Sequence, residues 1–414
     1  MQICKWLVLA LFATIISIKA ESPSCISDSK SSRYIECSPS NTDYILDKGL
    51  VSDNKDTVSI TLRRCRITSL NTDSFDGLPS LEKLDISDNK ITTLPLGVLD
   101  KVPKLINLNA SFNLITDLPV GLFDQIPNLL QLDLTGNLLK KLDPGVIKKT
   151  SMLHLSNNLL QGKDLKPDVF KTGDVNFLLL NKNNMEDAPD NILSSFRELV
   201  YLNLEGCSLT KVPKFVTIQN LDTITHLTLA DNKIRKISDG TIFKNLNDLE
   251  VLNLTKNLIE QMDENLFSST KKLKTLDLSM NRLSTIAEYQ FTNLPILNEV
   301  NLSNNLITIL PVNAFRATKI SKLNLSDNKI TYLQDNFCLE LKNSGVVLRN
   351  FYFSRNPWQC ACLKELMREV NVMNVQYDSN NYNGERPVCV TAGLFVCLRQ
   401  PDVNQDFINM YDNI

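Results

Sequence analysis

The sequence is poor in the residues that catalysis and metal binding most often use. It has two histidines in 414 residues, which leaves little room for a Ser/His or Cys/His dyad. No Walker loop, HExxH, GxSxG or dinucleotide-binding glycine pattern occurs, and the many aspartates stand singly. The chain is therefore not expected to be an enzyme, and no cofactor or metal is implied. Glycine and proline, at 13 and 16, are too few for collagen-like or low-complexity chains. Charge of one sign is also lacking: 44 Lys and Arg face 46 Asp and Glu, a net charge of -2. Nucleic acid and anionic membrane surfaces call for a positive surplus, so neither is an expected partner. After the first twenty residues no apolar stretch of about 18 residues exists.

What is present begins with an apolar segment at residues 1–20. Lys5 supplies a positive start, Trp6 to Ile18 is apolar, and Ala20 is a small residue at a cleavage point. The run is shorter than the ~20 residues that span a bilayer, so a secretory leader is expected, with an uncleaved anchor as the alternative. Loss of Lys5, Lys19 and Cys4 takes the net charge from -2 to -4 and leaves nine of the ten cysteines. The C-terminal residues 398–414 are polar and lack the hydrophobic tail of a lipid-anchor signal. A secreted, extracellular protein is the expectation, in a compartment where disulfides persist.

The dominant feature is a repeat. LEKLDISDNKI (Leu81 to Ile91) recurs as LLQLDLTGNLL, LVYLNLEGCSL, ITHLTLADNKI, LEVLNLTKNLI, LKTLDLSMNRL, LNEVNLSNNLI and ISKLNLSDNKI. The shared skeleton is L-x-x-L-x-L-x-x-N-x-L. Its ninth position falls at Cys65, Asn89, Asn113, Asn137, Asn158, Asn183, Cys207, Asn232, Asn257, Asn281, Asn305, Asn328 and Asn356. Alternating L-x-L makes a short strand with its leucines turned inward. The Asn amide can satisfy backbone groups that the following turn would otherwise bury unpaired. Phe75, Phe123, Phe267, Phe291 and Phe315 recur about ten residues later and fill the outer half of each coil. One coil cannot bury its own apolar stripe, so the coils must stack into a curved α/β solenoid with a parallel concave sheet. That uses the chain from residue 58 to 347 as repeats. Residues 21–57 serve as an N-terminal cap, and 348–397 as the last repeat with a C-terminal cysteine cap.

These residues resemble the extracellular leucine-rich repeat family in its common 24-residue form, from about Val58 to Cys397. The resemblance implies ligand binding on the concave face or the flanks rather than catalysis. The family includes Toll-type receptors, small matrix proteoglycans, adhesion proteins and secreted immune proteins of arthropods. Cys25 and Cys37 resemble half of the family's four-cysteine N-terminal cap. NPWQCAC (Asn356 to Cys362) with Cys389 and Cys397 resembles its C-terminal cap, although the last two cysteines are closer than usual. Spacing alone leaves three pairings open; the resemblance implies Cys360 with Cys389 and Cys362 with Cys397. A zinc site would need four ligands at suitable spacing, and histidine is absent there.

Three cysteines stand outside the caps. Cys65 and Cys207 take the Asn position of coils six apart, far beyond disulfide reach at about 4.8 Å per coil. They read as buried thiols. Cys338 makes the mature count odd. It is an inert buried thiol, an intermolecular disulfide to a partner or a second copy, or a member of a rearranged cap.

Positions three, five and seven of each repeat are expected to point out of the concave sheet. Most are small or polar, as at Asp85, Ser87, Ser111, Thr135, Asp277 and Ser279. From the fifth to the ninth repeat they become Met152, His154, Phe177, Leu179, Tyr201, His226 and Val251. A contiguous apolar and aromatic zone marks an interaction site, unless the register slips in the irregular fifth and sixth repeats. Four N-x-[ST] sequons, at Asn109, Asn253, Asn301 and Asn324, occupy position five. Glycans there would leave the fourth to eighth coils open. His154 and His226 lie three coils apart, roughly 14 Å, too far for one metal ion; they read as surface histidines, with a pH-sensitive contact as the alternative. The expected function is a secreted protein-binding solenoid, either a soluble innate-immune recognition or complex-forming protein, or else a matrix or adhesion protein or a soluble regulator of a signalling ligand or receptor. Its partner would be a protein ligand or a partner subunit.

Overall fold

The computed structural model describes residues 25–27, 33–39, 41–166, 169–170, 174–292, 294–378, 388–391, 393 and 396–413. The expected leader at 1–20 lies outside them. The described chain winds into a solenoid whose concave wall is a single 15-stranded sheet, from Cys25–Ser27 at one edge to Asn350–Tyr352 at the other. Every pairing in it is parallel except that of Cys25–Ser27 with Tyr34–Cys37. Strands are only three or four residues long because a coil offers one L-x-L before it turns.

The turn is the same in each coil. The residue after position seven takes the left-handed conformation, for example Asp88, Phe112, Asp231 and Asn304. The Asn that follows turns inward. Asn257 Nδ2 donates to the carbonyls of Leu229 (2.9 Å), Leu254 (3.1 Å) and Thr255 (3.3 Å), and its Oδ1 accepts the N–H of Ile234 (3.1 Å). One side chain thus satisfies groups in two coils that water cannot reach, and the ladder repeats with the same partners from Asn89 to Asn356. Cys207 can only copy part of this. Its Sγ donates to Leu180 O at 3.3 Å, and its own carbonyl takes the Met185 N–H that an Asn Oδ1 would have accepted.

The core is one continuous apolar column. Phe75, Phe123, Phe267, Phe291 and Phe315 are all buried in it, the last three stacked at 5.9 and 5.5 Å between ring centroids. Phe170, Phe196 and Phe243 join the same layer one to three residues later in their coils than the sequence spacing suggests, since the loops there are of different length.

Both ends are closed. Cys25 bonds Cys37, and at the far end Cys360 bonds Cys389 and Cys362 bonds Cys397. Three helices cluster at that end: α1 (Phe337–Asn343), α2 (Cys360–Val372) and α3 (Asn404–Asp412). Trp358 is buried and its indole N–H donates to Phe353 O at 2.9 Å. The C-terminal residues, expected as a polar tail, form α3 and pack on the cap. Phe407 and Tyr411 meet Val390, Asn404 receives a hydrogen bond from Thr331, and Lys329 pairs with Asp412 at 2.8 Å. A four-residue spacing of Phe407 and Tyr411 puts both on one face of a single short helix.

Candidate binding face

Strand register decides which side chains face the concave solvent. Met152, Phe177, Tyr201, His226 and Val251 lie opposite one another on five successive strands. His154, Leu179, Asn203, Thr228 and Asn253 form a second row beside them. Between the rows, Leu153, Leu178, Leu202, Leu227 and Leu252 are completely buried. The register therefore runs unbroken through the fifth and sixth coils, with Phe177 and Leu179 outward.

Met152 and Phe177 are 39% and 36% exposed, and the rings next to them are half-buried by contact with one another. Phe177 stacks on Tyr201 with centroids 6.1 Å apart, and Tyr201 meets His226 at 5.9 Å. His226 Nδ1 shares a hydrogen bond with Thr225 Oγ1 at 2.8 Å, which fixes the imidazole in the row. The ladder is thus a pre-formed apolar surface whose side chains have little rotamer freedom left to lose on binding, a property of interface anchors.

The row has polar borders. On the N-terminal side, His154 Nδ1 lies 3.5 Å from Asp133 Oδ2. Burial alone would raise the Asp133 carboxyl, but the contact with His154 and the Thr135 N–H at 2.9 Å hold it below the usual carboxylate range. Beyond it a hollow of about 220 Å³ is lined by Ser59, Thr61, Lys83, Asp85, Asn107 and Gln131, among others. On the C-terminal side the same row carries Thr275, Glu299, Lys322 and Asn350.

One expectation changes in part. Where position seven is a serine it does not stand out of the sheet: Ser87 is 3% exposed, and Ser111, Ser156, Ser279, Ser303 and Ser326 are likewise buried, whereas Thr135, Asn181, Glu205 and Thr255 are half-buried there, as row five is. At the serines the chain already turns inward, and the hydroxyl and N–H bond the position-five side chain, as Ser279 does with Asp277 Oδ1 at 2.6 and 2.8 Å. Rows three and five line the concave surface throughout, and position seven joins them at Thr135, Asn181, Glu205 and Thr255. Cys338 is 1% exposed in α1, and burial, reinforced by the nearby Glu369 carboxylate, pushes its thiol up to about 12. A thiol so enclosed and protonated is unsuited to an intermolecular disulfide, which favours the first of the three readings, the inert buried thiol. Cys65 and Cys207 are buried too, and burial raises both thiols, Cys207 to about 12.

The four sequon asparagines, Asn109, Asn253, Asn301 and Asn324, all sit half-buried in row five. Each accepts the N–H two residues ahead through Oδ1. No sequon falls on the strands from Gln131–Asp133 to His226–Thr228. One feature carried no sequence signal beyond the adjacency of two arginines. A hollow of about 630 Å³ opens beside the N-terminal cap, where Arg63 and Arg64 both reach Asp88, at 2.9 and 3.2 Å.

The leucine-rich repeat family model matches residues 57–115, 222–283 and 271–330. Lumican of Oryctolagus cuniculus is 30% identical over 181 residues, which cover 43% of this chain and 90% of that sequence. Keratocan of Gallus gallus is 31% identical over 193 residues, 45% of this chain. The match spans about half of that keratocan's length, 52%. The solved structure of the Toll–Spatzle complex, of Drosophila, shares the fold at a TM-score of 0.58 and 21% identity, over 84% of this chain and 53% of that one. The chain belongs to the leucine-rich repeat family.

Proposed function

We propose that this chain is a secreted, non-catalytic solenoid that captures a protein on its concave face. The observation that carries this reading is the ring-stacked row Met152–Phe177–Tyr201–His226–Val251, a contiguous apolar surface between polar stretches of the same row. Three disulfides suit an oxidising compartment, and among the described residues no helix is long and apolar enough to cross a membrane. Removal of residues 1–20 as a leader completes this account. The role we favour is soluble recognition or complex formation in innate immunity. Similarity to keratocan and lumican supports a second reading, in which the chain holds a matrix or cell-surface partner.

The test has two parts. Protein recovered from its native fluid is passed over immobilised wild-type chain and over the Phe177→Ser/Tyr201→Ser variant. Bound protein that depends on the two rings supports capture by this row, whereas equal recovery removes it. A salt wash of the producing tissue then separates the roles. Release into a circulating fluid supports recognition, and retention on matrix supports the second reading.

A further inference from the structure

The sequon at Asn253 stands apart from the other three because it borders the aromatic row. Val251 and Asn253 share one strand, whose register sets Val251 against His226 and Asn253 against Thr228. With strands about 4.8 Å apart and about 3.3 Å per residue along them, Asn253 is roughly 8 Å from His226 and roughly 12 Å from Tyr201. That separation is the reach of the first sugars of an N-linked glycan. The row-three residues around Asn301 are Thr275, Glu299 and Lys322, and those around Asn109 are Lys83, Asn107 and Gln131. No ring of the aromatic row adjoins those sites.

The side chain is also set for it. Asn253 Oδ1 accepts the Thr255 N–H at 2.9 Å. The oxygen and nitrogen of an amide point apart, so this bond keeps Nδ2, the atom that carries a glycan, away from the Thr255 turn. At Asn301 the same nitrogen donates to Asp277 Oδ2 at 3.1 Å; nothing comparable engages Nδ2 of Asn253.

We propose that an N-glycan on Asn253 folds back over His226 and Tyr201, laying the C–H face of its N-acetylglucosamine rings on theirs. Apolar ring surface leaves water on both sides of that contact. The glycan then closes the Val251 end of the row, and the end open to a partner is Met152 and Phe177. This rests on use of the sequon and stands whether or not the open end binds a protein.

The two histidines provide the measurement. His226 and His154 each engage Nδ1 with a neighbour, Thr225 and Asp133, leaving Nε2 for acylation. Secreted protein is treated with diethyl pyrocarbonate, and each histidine is quantified by peptide mass spectrometry, with Asn253 occupancy read from the same digest. Thr255→Ala abolishes the sequon yet keeps Asn253 and the backbone N–H that holds it. Enzymatic deglycosylation is the second route; it leaves Asp at position five, a residue Asp85, Asp133 and Asp277 already place there. The expected result is a severalfold rise in His226 acylation by either route, with His154 unchanged after Thr255→Ala. An unmodified Asn253 in the secreted protein, or a His226 to His154 ratio that does not move, overturns the proposal.

Discussion

Row three of the concave sheet reads Met152, Phe177, Tyr201, His226, Val251 in one stretch and Thr275, Glu299, Lys322, Asn350 in the next. The backbone beneath is the same: parallel strands of equal length, an inward leucine, valine or phenylalanine between the rows, and an Asn or Cys in each turn. In the second stretch Lys322 pairs with Glu299 at 3.2 Å, and Lys274, before Thr275, reaches back to Glu250 of the preceding coil at 2.7 Å. Such exposed pairs are screened by water and contribute little to stability. The first stretch exposes stacked rings. The difference costs the fold almost nothing, because rows three and five lie outside the core. Folding is set by the inward positions, and the outward ones are left free to differ between the two stretches.

That separation can be attacked from the scaffold side first. Replacing Cys362 and Cys397 with serine opens a loop of sequence separation 35 and is expected to cost about 4 kcal/mol in urea unfolding. Both stretches should lose stability, since the solenoid would lose its end. Asn257→Ala leaves the Ile234 N–H without its acceptor and takes one of two donors from each of the Leu229, Leu254 and Thr255 carbonyls, beneath the junction of the two stretches, and is expected to cost about 3 kcal/mol. If it unfolds one stretch alone, the shared scaffold is two units rather than one.

The rows themselves give smaller and more selective effects. Phe177→Ser with Tyr201→Ser should weaken partner binding by about 2 kcal/mol, roughly thirtyfold, while stability moves by less than about 1 kcal/mol. Glu299→Ser with Lys322→Ser, at the same row positions, should change neither beyond a few tenths. Smallest is the border at Asp133. Its folded-state carboxyl lies below its unfolded value, so its stabilisation is present above about pH 4 and is lost as pH falls through the lowered value. Asp133→Asn should therefore be slightly less stable than wild type at neutral pH, the gap closing in acid; a gap that persists at pH 2 would assign the effect to shape rather than charge.

How much of this was legible beforehand follows from what a repeat encodes. Leucines and asparagines at fixed spacing announce their coil, and position numbers then name the outward side chains, which is why Phe177 and Tyr201 stood out. Position seven misled because Ser87 or Ser279 is equally at home in water or bonded to a position-five carboxylate; polarity does not report the inward turn. Cys338 sits in α1, the irregular part of the coil before the cap, and α3 lies beyond the periodic region. There burial depends on how the cap folds back, as when Gln359 clasps Leu398 through both its amide groups at 2.8 and 3.0 Å. No local pattern states such a contact. Phe170, Phe196 and Phe243 were missed for a simpler reason: their coils differ in loop length, and only the inward packing restores the layer.

The central claim is that the ring-stacked stretch, and not the concave face as a whole, takes the partner. Its most direct test is a side-by-side binding titration of the captured protein against wild type, Phe177→Ser/Tyr201→Ser and Glu299→Ser/Lys322→Ser. The account predicts about thirtyfold weaker binding for the first variant and wild-type affinity for the second. Equal loss in both, or loss only in the second, would contradict it.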